Sequence, residues 1–466
     1  MRLNAQDESR ENMTDEHSDV PAWLVEDIRS GAVDTVAVSF TDMQGRLQGK
    51  RIHAQFFLDE VAHHGTEGCN YLLAVDIEMN TVGGYAMSSW DTGYGDFVMA
   101  PDFSTLHRVP WEPGTVGVLC DLLTMDGDPV PASPRQILRH QVDRLADAGM
   151  VALAGTELEF IVFRDTYEEA WASGYRGLTP VNLYNIDYSM LGTARIEPLL
   201  RRIRNEMFAA GMTVESAKGE CNLGQHEIAF KYREALGTCD NHVIYKTGAK
   251  EIAAQEGLAL TFMAKYNERE GNSCHVHLSF RGTDGALVMA DDSDPTGMSA
   301  IGKSFVAGQL AHARELSLLF APQINSYKRF VEGSFAPTSL RWGRDNRTLA
   351  FRLVGHGPSL RLENRVPGGD VNPYLATAGI IAAGLDGIQQ HLELEPEFVG
   401  NAYVSDSLRV PTSMREALDL WEGSGWVRAT FGEDVQAHYA NMARVELAAF
   451  GAAVTDWERF RNFERI

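Results

Sequence analysis

Two glutamates two residues apart, Glu157 and Glu159 in GTELEF, give the first hint of chemistry in this 466-residue chain. On a strand, side chains two apart share a face, so both carboxylates can enter one pocket. Four further candidates are Glu220 and Glu227 in KGECNLGQHEI, His275 in GNSCHVHLS and Glu363 in RLENR. Five carboxylates and one imidazole suit hard divalent ions such as Mg²⁺ or Mn²⁺, not a thiolate zinc site. Arginines follow in NSYKRF, RDNRTLAFR and ENRVP, supplying cations able to hold phosphates and a carboxylate. The combination implies an ATP-driven ligase.

Each piece has a bland reading. A Glu-x-Glu strand is more often a solvated face, and a lone buried histidine more often a hydrogen-bonding core residue than a ligand. Context moves the balance. Gly-Gln-His-Glu ends a tight turn and starts an apolar strand, which returns Glu227 to the region of Glu220. His275 and His277 have strand spacing, so two imidazoles share one side with the carboxylates.

The elements that must position these groups can be read in outline. DTVAVSFTDMQGRLQGKRI gives two alternating apolar runs around a Met-Gln-Gly turn. ASPRQILRHQVDRLADAGM reads as a helix with Ser133 as cap, Pro134 in its first turn and Gly149 near its end. Ile137, Leu138, Val142 and Leu145 form its apolar stripe. Strands bearing GTELEF, ESAKGE, HEIAF and CHVHLSF then alternate with helices near 196–210, 240–256, 296–320 and 373–391, the last starting at Asn372-Pro373. Neither repeats nor low-complexity stretches are evident. The expectation is a flexible tail over 1–19, a β-rich N-terminal domain over 20–131, and a larger α/β or α+β domain over 132–466.

Bulk composition narrows the partners. A net charge of −23 disfavours nucleic acid, which needs a basic face. An acidic field attracts cationic small molecules such as amines, or simply keeps a large assembly soluble. The sequence has no run of about 18 apolar residues, so no membrane span is expected. The charged N-terminus lacks the apolar core of a signal peptide. Five cysteines, at 69, 120, 221, 239 and 274, lack metal or redox spacing, which fits reduced thiols in a cytoplasm.

From FTDMQG near residue 41 to NPYLATAGIIAAGLDGI near 387, with NSYKRF and APTSLRWGRDNRT between, the chain resembles a type I glutamine synthetase. The resemblance implies an α+β fold: an N-terminal β-grasp domain, then a catalytic domain of curved antiparallel strands and helices. It also implies a homo-oligomer, a dodecamer of two stacked hexameric rings. By the same resemblance Glu159, Glu220 and Glu227 hold one Mg²⁺ or Mn²⁺, and Glu157, His275 and Glu363 a second. Arg329 and Gly271 contact substrate glutamate, and Arg365 lies near its reacting carboxylate. Arg347 and Arg352 clamp the phosphates of the co-substrate ATP, with Arg347 and Arg365 the catalytic cations. Glu215, Tyr232, His277 and Ser279 contact the nucleotide, and Arg361 packs on adenine.

The chain departs from that pattern where the second nucleophile should bind. Glutamine synthetases carry a glutamate immediately before Ala-Pro; here Phe335 stands before Ala336-Pro337. Their Asp-Gly-Ser-Ser loop is replaced by Glu67-Gly-Cys-Asn-Tyr71. Losing two carboxylates weakens a site for ammonium, whereas Phe335 offers a wall to an alkyl chain. This is the pattern of the family's γ-glutamyl-amine ligases, such as γ-glutamylethanolamide and γ-glutamylpolyamine synthetases. It implies glutamate, ATP and a small primary amine as substrates, with ethanolamine favoured and polyamines next. The alternatives are ammonia as the nucleophile or a non-catalytic scaffold. Glu332 and Asp96 could accept the amine's proton, though each reads better as a loop or turn carboxylate. Glu270 replaces a usual asparagine, so the α-amino end of glutamate is expected to be held differently. Tyr403 lies near a tyrosine modified in some relatives and reads as a structural residue.

Overall fold

The computed structural model describes residues 20–466, and the tail expected over 1–19 lies outside them. The first sheet is built from β1 (Thr35–Thr41), β2 (Leu47–His53), β3 (Thr66–Cys69), β4 (Asp96–Pro101), β5 (His107–Arg108) and β6 (Thr115–Leu123). Its order is β2-β1-β6-β4-β3, with β5 on β6. The central pair β1 and β6 runs parallel while their outer neighbours run antiparallel, the expected β-grasp arrangement. Valines at alternate positions of β1, Val36 and Val38, face a core shared with Phe57, Phe97, Val116 and Val118.

The second sheet carries the chemistry. It comprises β7 (Met150–Phe163), β8 (Val214–Gly219), β9 (Gln225–Phe230), β10 (Arg233–Glu234), β11 (Ala259–Thr261), β12 (Cys274–Gly282), β13 (Ser339–Arg344), β14 (Leu349–Val354) and β15 (Arg361–Asn364). The main path is β13-β14-β15-β12-β7-β9-β8. Its pairs are antiparallel except at one edge, where β13 lies parallel to β14. There Asp345 takes a left-handed φ of 50°, and the connection that returns the chain carries Arg347.

One face of this sheet is apolar, with Leu158, Phe160, Val276, Leu278, Ile228 and Leu362 in the main core. Against it pack the helices Pro134–Asp147 and Ala235–Gln255, and on these two in turn packs Pro373–Gln389. The last is buried almost all round, as an uninterrupted apolar helix must be. Helix Ala300–His312 approaches it through Gly308 and Gly387. A β-carbon on either would meet backbone atoms within 2.2 Å. Asn372 caps the Pro373 helix through the amide of Tyr374 at 3.1 Å. Its Nδ2 reaches the carbonyls of Asp42 and Met43, which joins the helix to the first sheet.

Three expectations need correction. Ser133 stands at the N-cap of helix Pro134–Asp147, but its buried hydroxyl caps nothing there. The helix expected from 240 starts at Ala235. The single helix expected over 296–320 is two, Ala300–His312 and Ser317–Phe320. At that break His312 lies between Glu315 and Asp386, 2.8 Å from the latter, and stacks on Trp426 at 3.7 Å. Burial works against the imidazolium, but the two carboxylates outweigh it and raise the His312 pKa. A raised folded-state value gives stability that is present at low pH and lost as pH rises through it. His312→Phe, which keeps a ring over Trp426, should therefore cost more stability at pH 6 than at pH 9. Urea unfolding at both values measures the narrowing.

Candidate active site

Strand register alone lines up the polar face of the second sheet. In β7–β12 His275 is opposite Glu157 and His277 opposite Gly155; in β7–β9 Glu159 is opposite Glu227. Glu363 of β15 is opposite His277 and Arg352 of β14, and Lys218 of β8 is opposite Glu227. Opposed residues share a face, so the row reads Lys218, Glu227, Glu159, Glu157 with His275, His277, Glu363, Arg352. Glu220 follows β8 immediately, in a turn closed by its amide to the Gln225 carbonyl at 2.9 Å.

All six expected ligands converge, in two groups. Glu159, Glu220 and Glu227 offer oxygens within 4.8 Å of one another. Glu157, His277 and Glu363 do the same. His275 belongs with the second group, its Nδ1 lying 3.3 Å from Glu157 and 3.4 Å from Glu363. His277, expected on the same side as the carboxylates and at the nucleotide, is drawn in as well, with Nε2 3.0 Å from Glu157.

The electrostatics fit divalent cations. Burial and then the Glu157 charge push the Glu227 carboxyl up to about 8, because carboxylates outnumber cations around it. Glu157 goes the other way: burial opposes its ionisation, but hydrogen bonds from His275 and His277 hold it well below the usual carboxylate range. Glu363 is fully buried, yet Arg365 and the two histidines bring it down to about 2. Burial, then Arg365, lowers the His275 pKa, which keeps a neutral lone pair available. Its Nε2 is buried without a hydrogen-bond partner.

Two adjoining cavities open over this face. One, of about 500 Å³, is lined by all the expected ligands except Glu363 and by Gly271, Phe335, Arg347, Arg352, Arg361 and Arg365. The other, of about 470 Å³, is lined by Glu215, Tyr232, His277, Ser279 and Arg361, the residues expected around the nucleotide. Glu157, His277 and Arg361 border both. Arg352 binds Glu363 at 2.9 Å and Asp345 at 3.0 Å, while Arg361 Nε meets His277 Nδ1 at 3.2 Å. Arg365 binds Glu363 at 2.5 Å and the Phe335 carbonyl at 3.1 Å.

Arg329 does not reach this space. It is buried behind Gly271 and donates to Ser273 Oγ at 3.1 Å and to the Val366 carbonyl. Burial lowers its pKa to about 10. Glu332 and Asp96 line neither cavity. Glu270 does line the larger one, its carboxylate 3.9 Å from Arg269.

Some residues of the site went unread. Lys218 pairs with Glu220 and lies 3.9 Å from Glu227; its place two residues before Glu220 on a strand was the signal. Arg281, two beyond Ser279 on β12, borders the second cavity by the same alternation. Gln225 carries no such signal: its Nε2 ties Glu159 at 3.1 Å to the Gly271 carbonyl at 2.9 Å.

Comparison with known proteins agrees with this geometry. Residues 131–462 match the model of the glutamine synthetase catalytic domain, and the chain belongs to the glutamine synthetase family. It is 67% identical over 439 residues to the γ-glutamylethanolamide synthetase GlnA4 of Streptomyces coelicolor, covering 94% of each chain. It is 37% identical to a glutamate–isopropylamine ligase of a Pseudomonas species, covering 93% of this chain and 96% of that one. Among solved structures, a GmaS/ADP complex superposes with a TM-score of 0.83 at 27% identity, over 95% of this chain and 99% of that one.

Proposed function

We propose that this protein joins the γ-carboxylate of glutamate to a small primary amine, ethanolamine before polyamines, through a γ-glutamyl phosphate made with ATP. The observation that carries the choice of amine is Phe335, an apolar ring lining the substrate cavity where an ammonia-using relative has a carboxylate. The likeness to the ethanolamide and isopropylamine ligases supports it.

Glu159, Glu220 and Glu227 would hold one Mg²⁺ or Mn²⁺ and Glu157, His275 and Glu363 a second. Such ions would neutralise phosphate charge as the carboxylate attacks, and would polarise the acyl carbonyl that the amine attacks afterwards. Arg347 and Arg352 point cations at the transferring phosphoryl group, and Arg365 sits by the carboxylate that receives it. Gly271 and, from behind it, Arg329 shape the glutamate end. Glu215, Tyr232, His277, Ser279 and Arg361 form the nucleotide side. The mixed anhydride is an acyl donor that a neutral amine can attack, releasing phosphate and leaving an amide.

The working unit in this reading is a cytoplasmic homo-oligomer, a dodecamer of two six-membered rings, each chain divided at 131–132. Two observations support parts of it. The first sheet has its own apolar core, and no helix among the described residues is long and apolar enough to cross a membrane.

The test is phosphate release from ATP with Mg²⁺, glutamate and either ammonia, ethanolamine, isopropylamine, putrescine or spermine. Ethanolamine should give the highest kcat/KM. Phe335→Glu should shift the ratio of ammonia to ethanolamine use by about tenfold or more toward ammonia. Activity with ammonia alone would establish a glutamine synthetase instead, and none with any amine would favour a scaffold.

A further inference from the structure

Phe335 is held in a conformation its own chemistry disfavours. Its φ is 59°, the left-handed region that a bulky L-residue disfavours and that persists only where surroundings impose it. The ring is half exposed at the cavity rim, so packing of the side chain does not impose it. Hydrogen bonds to two successive carbonyls do. Arg365 Nη2 donates to the Phe335 carbonyl at 3.1 Å, and the hydroxyl of Tyr403 donates to the next one, of Ala336, at 3.1 Å.

Arg365 is already engaged with Glu363, but Tyr403 comes from a different part of the chain with no other part in the site. It is buried, on the short turn Ala402–Val404, and that turn is itself fastened on several sides. Asn401 Oδ1 accepts from the Tyr403 amide at 3.0 Å. Ser339 Oγ donates to the Ala402 carbonyl at 2.7 Å. Arg409 donates to the carbonyls of Tyr403 at 3.1 Å and Ser405 at 2.7 Å. A rigid turn thus presents one hydroxyl to a strained loop whose tip bears the cavity's aromatic wall.

We infer that Tyr403 is a positioning residue for amine selection: its hydroxyl fixes the 331–337 loop so that Phe335 stands at one place on the cavity wall. The inference rests on the reading of Phe335 as the amine-facing wall. Arg365 couples the same loop to the ligand Glu363, whereas Tyr403 acts on the loop alone. Its removal is therefore felt at the amine and not at ATP or glutamate.

The experiment is a double-mutant cycle of Tyr403→Phe and Phe335→Ala, with KM and kcat for ethanolamine, isopropylamine and ammonia. A single hydrogen bond supports an effect of about threefold to tenfold. Tyr403→Phe should raise the ethanolamine KM by that factor and narrow the preference for ethanolamine over isopropylamine. KM for ATP and for glutamate should stay within about twofold. In the Phe335→Ala background the same change should have no further effect on amine choice. If Tyr403→Phe leaves amine selection as it was, or acts equally with and without the Phe335 ring, the inference is overturned. A uniform fall in kcat for every amine, with a lower melting temperature, would mean a merely structural tyrosine and overturn it too. Were the unmodified protein to use ammonia alone, the reading of Phe335 would fall and this inference with it.

Discussion

Replacing Arg135 by methionine should destabilise the protein by about 3–5 kcal/mol, the cost of leaving buried charge without its partner. The guanidinium is almost fully buried and serves three carboxylates. It grips Asp240 bidentately at 2.9 and 3.0 Å, and reaches Asp121 at 2.5 Å and Asp102 at 2.7 Å. Asp102 and Asp121 belong to the first sheet region, Arg135 and Asp240 to helices beneath the second, so this cluster joins the two sheets. Burial alone would weaken the charge on Arg135, but Asp240 above all raises its pKa. Tyr374 adds a hydrogen bond to Asp240 at 2.7 Å, linking the Pro373 helix to the same cluster. Methionine matches the volume of the stem and removes every bond the guanidinium makes. Arg135→Lys keeps the charge without the fork and should recover only part of the loss. Urea unfolding followed by fluorescence measures both, and a methionine variant within about 1 kcal/mol of the parent would refute the account.

How far the site was readable depended on which physical rule governed each residue. Alternation along a strand was enough for Glu157 with Glu159 and for His275 with His277, because period two leaves a side chain only two directions. The same rule applied to Lys218 and Glu220 would have placed Lys218 among the ligands. Arg329 shows where such reasoning stops. A motif says that a cation follows NSY, but only packing decides that it turns inward to Ser273 and Val366 rather than into the cavity. The helix ends were opaque for a related reason. Helix Ala235–Gln255 begins at Glu234 without a side-chain cap, so no capping signal marked its start. The break after His312 has neither glycine nor proline from 313 to 316, and His312 bonds there with Glu315 and Asp386. Asn372-Pro373 was legible because capping is local chemistry.

Glu363→Gln should reduce kcat by about a thousandfold with little change in fold, the largest catalytic effect expected of any isosteric change in the site. Glu363 binds two of the arginines around the cavity, Arg352 at 2.9 Å and Arg365 at 2.5 Å, while facing His275 at 3.4 Å. Its carboxyl, brought down to about 2, is ionised across the whole working range. Glutamine keeps the shape and loses the charge. Arg365 then loses its carboxylate partner and Arg352 keeps only Asp345, and the second proposed metal group loses an anion. Weaker Mn²⁺ binding in a calorimetric titration should therefore accompany the loss of turnover. The two readouts separate the roles. Lost turnover with unchanged Mn²⁺ affinity would make Glu363 an arginine-positioning group only. Full turnover would mean that the row of charges across the sheet is not where phosphoryl transfer takes place.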